Sequence, residues 1–258
     1  MKAKKHLGQN FLHDLGALSD ILKASELQPT DTVVEIGPGR GFLTEELVKK
    51  AGKLIAVELD DDLIPFLKAS FITSKNFTLV HQDALTFVPP SEPYKLIANI
   101  PYYITSPILN HFLVEQFEGG NPPTLLVLMV QKEVAEKIVA KNGKHSVLSL
   151  QVHLFGEPEL VRVVHKGAFR PAPQVDSAVI KIKVHPQPKI AGELKKLFWL
   201  FHVSFAQKRK KLTNNLAGVL HKKTGEIREL LEKLGINPDI RAEDLTLPEW
   251  QKLFNELR

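Results

Sequence analysis

The chain has 258 residues, 43% of them hydrophobic and 24% charged, so it can bury a full core and still carry a second small domain. It has no cysteine, which excludes disulfides and cysteine-ligated zinc. Its net charge of +5 lies wholly in the last quarter: residues 189–258 hold 14 basic and 9 acidic side chains, whereas the first 188 hold 20 of each. A neutral body with a basic appendage points to a polyanionic partner, and nucleic acid fits best. The longest apolar run, Leu125 to Val130, is far too short to span a bilayer, and no apolar run follows the basic N-terminus. A cytoplasmic protein without a membrane role is expected.

In chain order, Lys2, Lys4, Lys5 and His6 are followed by Gly8-Gln9-Asn10-Phe11-Leu12, and then by an amphipathic helix carrying Leu15, Leu18, Ile21 and Leu22 at helical spacing. Thr32-Val33-Val34 reads as a buried strand. It runs into Glu35-Ile36-Gly37-Pro38-Gly39-Arg40-Gly41 and then a helix over 42–50 with early acids and late lysines, the sense a helix dipole favours. Leu54 to Val57 is a second strand ending at Glu58, and Leu59-Asp60-Asp61-Asp62 should start the next helix. Phe77 to Val80 leads to Gln82-Asp83-Ala84, and Lys95 to Ala98 leads to Asn99-Ile100-Pro101-Tyr102. Thr124 to Val130 is a fifth strand with a helix over 131–140 behind it. Residues 161–164 and 178–184 read as a closing pair of strands. Strands alternating with helices imply a mainly parallel sheet with ligands at its carboxyl edge. The glycine turn, Glu58, Asp83 and Asn99 all fall at that edge.

His185-Pro186-Gln187-Pro188 reads as a linker, giving a first domain over 1–185 and a basic helical domain over 189–258. Over 189–223 there are nine basic residues and one acid, Glu193, and Lys208-Arg209-Lys210-Lys211 forms the densest cluster. The ten histidines show no helical ligand pair, so no metal is expected.

Two stretches carry chemistry. Gly37-x-Gly39-x-Gly41 with an acid ahead lets backbone approach a ligand, and Phe42 stands where a dinucleotide fingerprint wants its third glycine. The pattern resembles the first motif of S-adenosylmethionine (SAM) methyltransferases. An acid at position 58, about 20 residues after the glycines, is placed for ribose hydroxyls. Asn99-Ile100-Pro101-Tyr102 suits methylation of an exocyclic amine. Adenine N6 is a poor nucleophile because its lone pair is delocalised into the ring. The Asn99 amide oxygen and the Ile100 carbonyl can accept its two hydrogens and turn the lone pair outward. Pro101 fixes the turn, and Tyr102 offers a face for a flipped base.

With both motifs in view the chain resembles the KsgA-type ribosomal RNA adenine dimethylases almost end to end. The resemblance also covers Gly8 to Leu12, Val57 to Asp60, Met129 to Ala135, Phe169-Arg170-Pro171-Ala172-Pro173 and Lys208 to Leu212. It implies a Rossmann-like SAM methyltransferase fold with a mostly parallel sheet and a small all-helical C-terminal domain. It implies SAM contacts at Asn10, Leu12, Gly37, Gly39, Glu58, Asp83 and Asn99, with Asp83 toward the cofactor's adenine. It makes Phe169 a second stacking residue opposite Tyr102, and Lys4, Lys5, Lys208, Arg209, Lys210 and Lys211 the RNA contacts. It further implies action on the small ribosomal subunit, methylating two adjacent adenosines near the 3′ end of its 16S rRNA, and a monomer is expected. Ile100 stands where many members carry leucine, and isoleucine is frequent in the macrolide-resistance methylases of large-subunit RNA. Pro107 and Arg241 to Leu245 look more like the small-subunit enzyme. An assembly factor acting mainly by binding is the alternative from another class.

Overall fold

The computed structural model describes residues 3–4, 7–140 and 144–257. The chain divides into two compact units, residues 1–136 with 156–185 and residues 137–155 with 186–258.

Among the described residues the first unit is built on nine strands: β1 (Phe11–Leu12), β2 (Thr32–Ile36), β3 (Lys53–Glu58), β4 (Phe77–His81), β5 (Tyr94–Asn99), β6 (Leu125–Gln131), β7 (Gly156–Val164), β8 (Phe169–Arg170) and β9 (Ser177–Val184). Seven of them form one sheet in the order β4-β3-β2-β5-β6-β9-β7, and β1 pairs with β8 separately. The pairs among β2 to β6 are parallel, whereas β9 runs antiparallel between β6 and β7. Parallel strands are covered on both faces and so read as unbroken apolar runs. Val33 and Val34 in β2 and Leu125 to Val130 in β6 are all buried.

From β2 the chain adds strands outward to β4 and then crosses back to lay β5 on the other side of β2. Neighbouring strands whose connections diverge leave a crevice at their carboxyl ends, where ligands bind in open α/β sheets. The helix Leu15–Ala24 packs its apolar stripe on this unit, its first turn capped by Asp14, which accepts from the Ala17 amide at 2.6 Å. The helix expected from Leu59 begins only at Ile64, with Pro65 in its first turn. Asp60 holds the turn ahead of it, accepting from the Asp62 amide at 3.0 Å.

The second unit is helical. Its helices include Val147–Phe155, Leu194–Ser204, Leu212–Leu220, Thr224–Lys233 and Leu247–Glu256. The fully buried Trp250 is the centre of its core, with the Phe201 ring 5.0 Å away edge-on and Phe205 stacked at 6.3 Å. Thr246 and Glu249 close a reciprocal capping box at the start of the last helix. Residues 137–155, which the linker at 185–188 would leave in the first domain, belong to this unit. The reason is the apolar Val147–Phe155 helix: the Lys189 amide donates to the Leu154 carbonyl at 2.9 Å, and the Phe155 and Phe198 rings lie 6.3 Å apart.

Candidate active site

A cavity of about 490 Å³ opens at the carboxyl edge of the sheet, within the usual size of a small-molecule site. Its floor is the turn after β2. Gly37 and Gly39 have φ of +65° and +59°, a conformation other residues adopt only with strain. A side chain at Gly39 would meet the Phe11 ring at 3.1 Å. At Gly37 a side chain would meet nothing, so the bare backbone there faces open cavity.

Glu58 ends β3 and is buried. Its Oε1 accepts from the amides of Leu59 and Asp60, each at 2.9 Å, and its Oε2 from the Gly39 amide at 3.2 Å. Burial pushes its pKa up, and these backbone donors oppose the shift. The carboxylate is thereby fixed against the glycine turn, with acceptor capacity left on Oε2 for a hydroxyl donor. Asp83 follows β4 and is exposed; one of its oxygens accepts from the Leu85 amide at 2.9 Å, and the other has no partner among the described residues.

Asn99 ends β5 opposite Met129 of β6. Its Nδ2 donates to the Asn10 carbonyl at 3.2 Å, and Asn10 in turn donates from its own Nδ2 to the Gly8 carbonyl at 3.1 Å. The amide of Asn99 is therefore turned so that Oδ1, an acceptor, is its free atom. Pro101 fixes the turn with its own φ of −58°, and a short helical turn Tyr102–Ile104 follows, held by the Thr105 hydroxyl on the Tyr102 carbonyl at 3.0 Å. The Tyr102 ring is half-buried and lines the cavity. Burial raises its phenol pKa, with the Ser177 hydroxyl opposing and the Asp176 charge adding.

All the expected cofactor residues, Asn10, Leu12, Gly37, Gly39, Glu58, Asp83 and Asn99, line this one cavity, as do Ile100, Pro101 and Tyr102. Phe169 does not. It is 2% exposed and packs in the core with Leu18, Ile21 and Leu12. The cause is strand alternation: β8 pairs Phe169 with Leu12 and Arg170 with Phe11, so successive side chains point to opposite sides and Arg170 takes the cavity face.

Lys4 is likewise not a free cation. Its Nζ pairs with Asp60 at 2.5 Å and Asp62 at 2.7 Å, which raises its pKa further, and Gln9 donates to the same Asp60 at 2.6 Å. This network holds Lys4 and Gln9 beside the turn that follows Glu58. Lys5 lies outside the described residues. Lys208, Arg209 and Lys210 are exposed in the turn before helix Leu212–Leu220. Lys211 is held by Asp239 at 2.9 Å; Arg228 binds the same carboxylate, and the two cations hold its pKa down to about 2.

Among the lining residues that the sequence did not single out as contacts are Tyr103, Arg170 and Glu35. Tyr103 is 60% exposed at the mouth, against Gly8. Arg170 becomes visible only through the β1–β8 pairing. Glu35, the acid of the glycine motif, is buried, its Oε2 has no hydrogen-bond partner among the described residues, and desolvation pushes its pKa up to about 8, with Glu58 nearby adding and Thr44 opposing. A cavity offering a bare glycine floor, the buried Glu58 carboxylate and further acids suits a cationic nucleoside such as SAM. Among the described residues no group of three metal-ligating side chains is present.

The chain is similar to known proteins along its whole length. The chain is 49% identical over 263 residues to ribosomal RNA small subunit methyltransferase A of Dehalococcoides mccartyi, covering 99% of this chain and 89% of that protein. It is 39% identical over 260 residues to the protein of the same name from Clostridium botulinum, covering 98% and 93%. Among solved structures, a dimethyladenosine transferase from Plasmodium falciparum superposes with a TM-score of 0.80 at 27% identity, covering 96% of this chain and 97% of that one. The 23S rRNA methyltransferase ErmE does so at 0.77 and 28%, covering 96% and 99%. The family model for ribosomal RNA adenine dimethylase matches residues 1–258, and the chain belongs to that family.

Proposed function

We infer that this enzyme transfers methyl groups from SAM to N6 of adenosines in the 16S rRNA of the small ribosomal subunit. The observation that carries the chemistry is the Asn99 amide, whose nitrogen is committed to the Asn10 carbonyl at 3.2 Å and whose oxygen is left to accept. When bound, SAM supplies an electrophilic methyl on its sulfonium sulfur. Asn99 Oδ1 and the Ile100 carbonyl accept the two hydrogens of N6, which turns the amine's lone pair out of conjugation. Positioning and electrostatics then do most of the work, and no covalent protein intermediate is needed. Tyr102 supplies a face for the flipped adenine. Glu58 takes the cofactor's ribose and Asp83 its adenine amino group.

The small-subunit substrate, rather than a large-subunit one, is supported by the 49% and 39% identities to small-subunit methyltransferases against 28% to ErmE. Lys208, Arg209 and Lys210 grip RNA phosphates without reading sequence. We take the enzyme to act as a monomer on ribosomal subunits in the cytoplasm; among the described residues no helix is long and apolar enough to cross a membrane. The test is to incubate the protein with labelled SAM and, separately, unmethylated small and large subunits, and to map the labelled base. Label at N6 of small-subunit adenosines is expected; label confined to the large subunit, or none, overturns the reading.

A further inference from the structure

The helix Leu194–Ser204 buries Leu197, Leu200, Phe201 and Ser204 on one side. On the other side Lys195, Trp199 and His202 are exposed at i, i+4 and i+7, a single helical face. Trp199 leaves 47% of its surface in solvent, whereas the chain's other tryptophan, Trp250, leaves none. Lys196 beside the stripe is paired with Glu193 at 2.9 Å, and His202 is held by the Phe198 carbonyl at 2.7 Å, but Lys195 has no ion-pair partner among the described residues. At its end the helix runs into the exposed turn that carries Lys208, Arg209 and Lys210.

A large flat ring held in water among cations needs an occupant that is both planar and anionic. Nine basic residues against one acid over 189–223 favour a polyanion over another protein's face. Single-stranded nucleic acid meets both demands, because bases stack on aromatic rings while basic side chains follow the backbone. We propose that Trp199, flanked by Lys195 and His202, is a stacking platform for an unpaired nucleotide of ribosomal RNA, with the Lys208–Lys210 turn on neighbouring phosphates. The proposal rests on ribosomal RNA being the substrate, and it adds a contact made by base stacking to contacts made by charge alone.

With one exposed and one buried tryptophan, emission reports on the platform directly. The parent and Trp199→Phe, Trp199→Leu, Trp199→Ala and Lys195→Ala variants are titrated with a single-stranded RNA oligomer and with unmethylated small subunits. RNA should quench the parent's emission and shield it from acrylamide, and should leave the Trp250 emission of Trp199→Phe unchanged. Trp199→Ala and Trp199→Leu should each lose roughly 5- to 100-fold in RNA affinity at an unchanged salt slope, with Trp199→Phe losing least. Lys195→Ala should lower the salt slope by about one. If Trp199→Ala binds RNA like the parent, if Trp199→Leu keeps full affinity, or if anionic phospholipid vesicles rather than RNA move the emission, the platform assignment is overturned. Failure of the parent to methylate small subunits would instead indict the functional reading, so the two failures are separable.

Discussion

The phenol of Tyr102 and the hydroxyl of Ser177 meet at 2.5 Å. Tyr102 follows β5, Ser177 opens β9, and β6 lies between those strands, so the ring spans the end of β6. Ser177 is fully buried and registered on both sides, against Gln131 of β6 and Val164 of β7. The sheet therefore fixes the atom that fixes the ring. Tyr102→Phe and Ser177→Ala should each slow single-turnover methylation about fivefold, the scale of one hydrogen bond, and the double variant should be no slower than either. Effects that multiply in the double variant would show that the two hydroxyls act independently.

Phe169 in the core makes a prediction opposite to that of a stacking residue. Phe169→Ala should cost about 3–5 kcal/mol of stability. Phe169→Leu, which keeps most of the volume, should recover most of the stability and most of the rate. A stable Phe169→Leu enzyme that cannot methylate would return Phe169 to the target base.

This residue also shows where sequence reading stops. The glycine turn, Glu58, Asp83 and Asn99 were legible because strands alternating with helices place every strand end on one edge, whatever the details of packing. Phe169 and Arg170 differ by one position on a two-residue strand, and only the pairing with β1 decides which faces the cavity. The helical stretch after Tyr102 was invisible for another reason. Pro107 interrupts it, and a π turn over Asn110–Glu115 buries His111 to Val114 consecutively, which erases the 3.6-residue period. The Val147–Phe155 helix is apolar on most sides and likewise lacks an alternating face. Ion pairs at Lys4 and Lys211 depend on contacts across 56 and 28 residues, beyond any local pattern.

Asn99 should separate chemistry from binding. Asn99→Ala should lower single-turnover rate at saturating SAM and RNA by about a hundredfold or more, while RNA affinity changes little. Because Asn99 also holds the Asn10 carbonyl, SAM affinity should be measured on the same variant by calorimetry. A variant that dimethylates at near the parent rate under saturation would remove amine alignment from the mechanism.

The helical unit should weaken in mild acid. His145 and His153 lie 5.5 Å apart, and burial depresses both pKa values, with His145 and Lys189 adding to the effect at His153. The unfolded chain titrates these groups near the usual 6.5, so it binds more protons than the native state once pH falls below about 7. Stability is thus full above that point and declines on acidification. Denaturation midpoints of the parent and His153→Gln should converge as pH drops from 7.5 to 5.5; parallel curves would remove the histidine from the account.

Glu35 should act at the other end of the scale and with the opposite sign. Its carboxyl is buried and its pKa is pushed up to about 8, from an ordinary carboxylate value near 4.5 in the unfolded chain. The native state then holds a proton that the unfolded state releases, so this contribution to stability is intact below about pH 4.5 and is lost as pH rises toward 8. Glu35→Gln keeps the shape and a neutral polar group but cannot ionise. Its stability relative to the parent should therefore climb between about pH 5 and 8, by at most about 1.4 kcal/mol per pH unit, and level off above. Paired denaturant titrations without SAM read this difference directly. A relative stability that stays flat across that range would mean Glu35 is ionised in the folded protein at neutral pH.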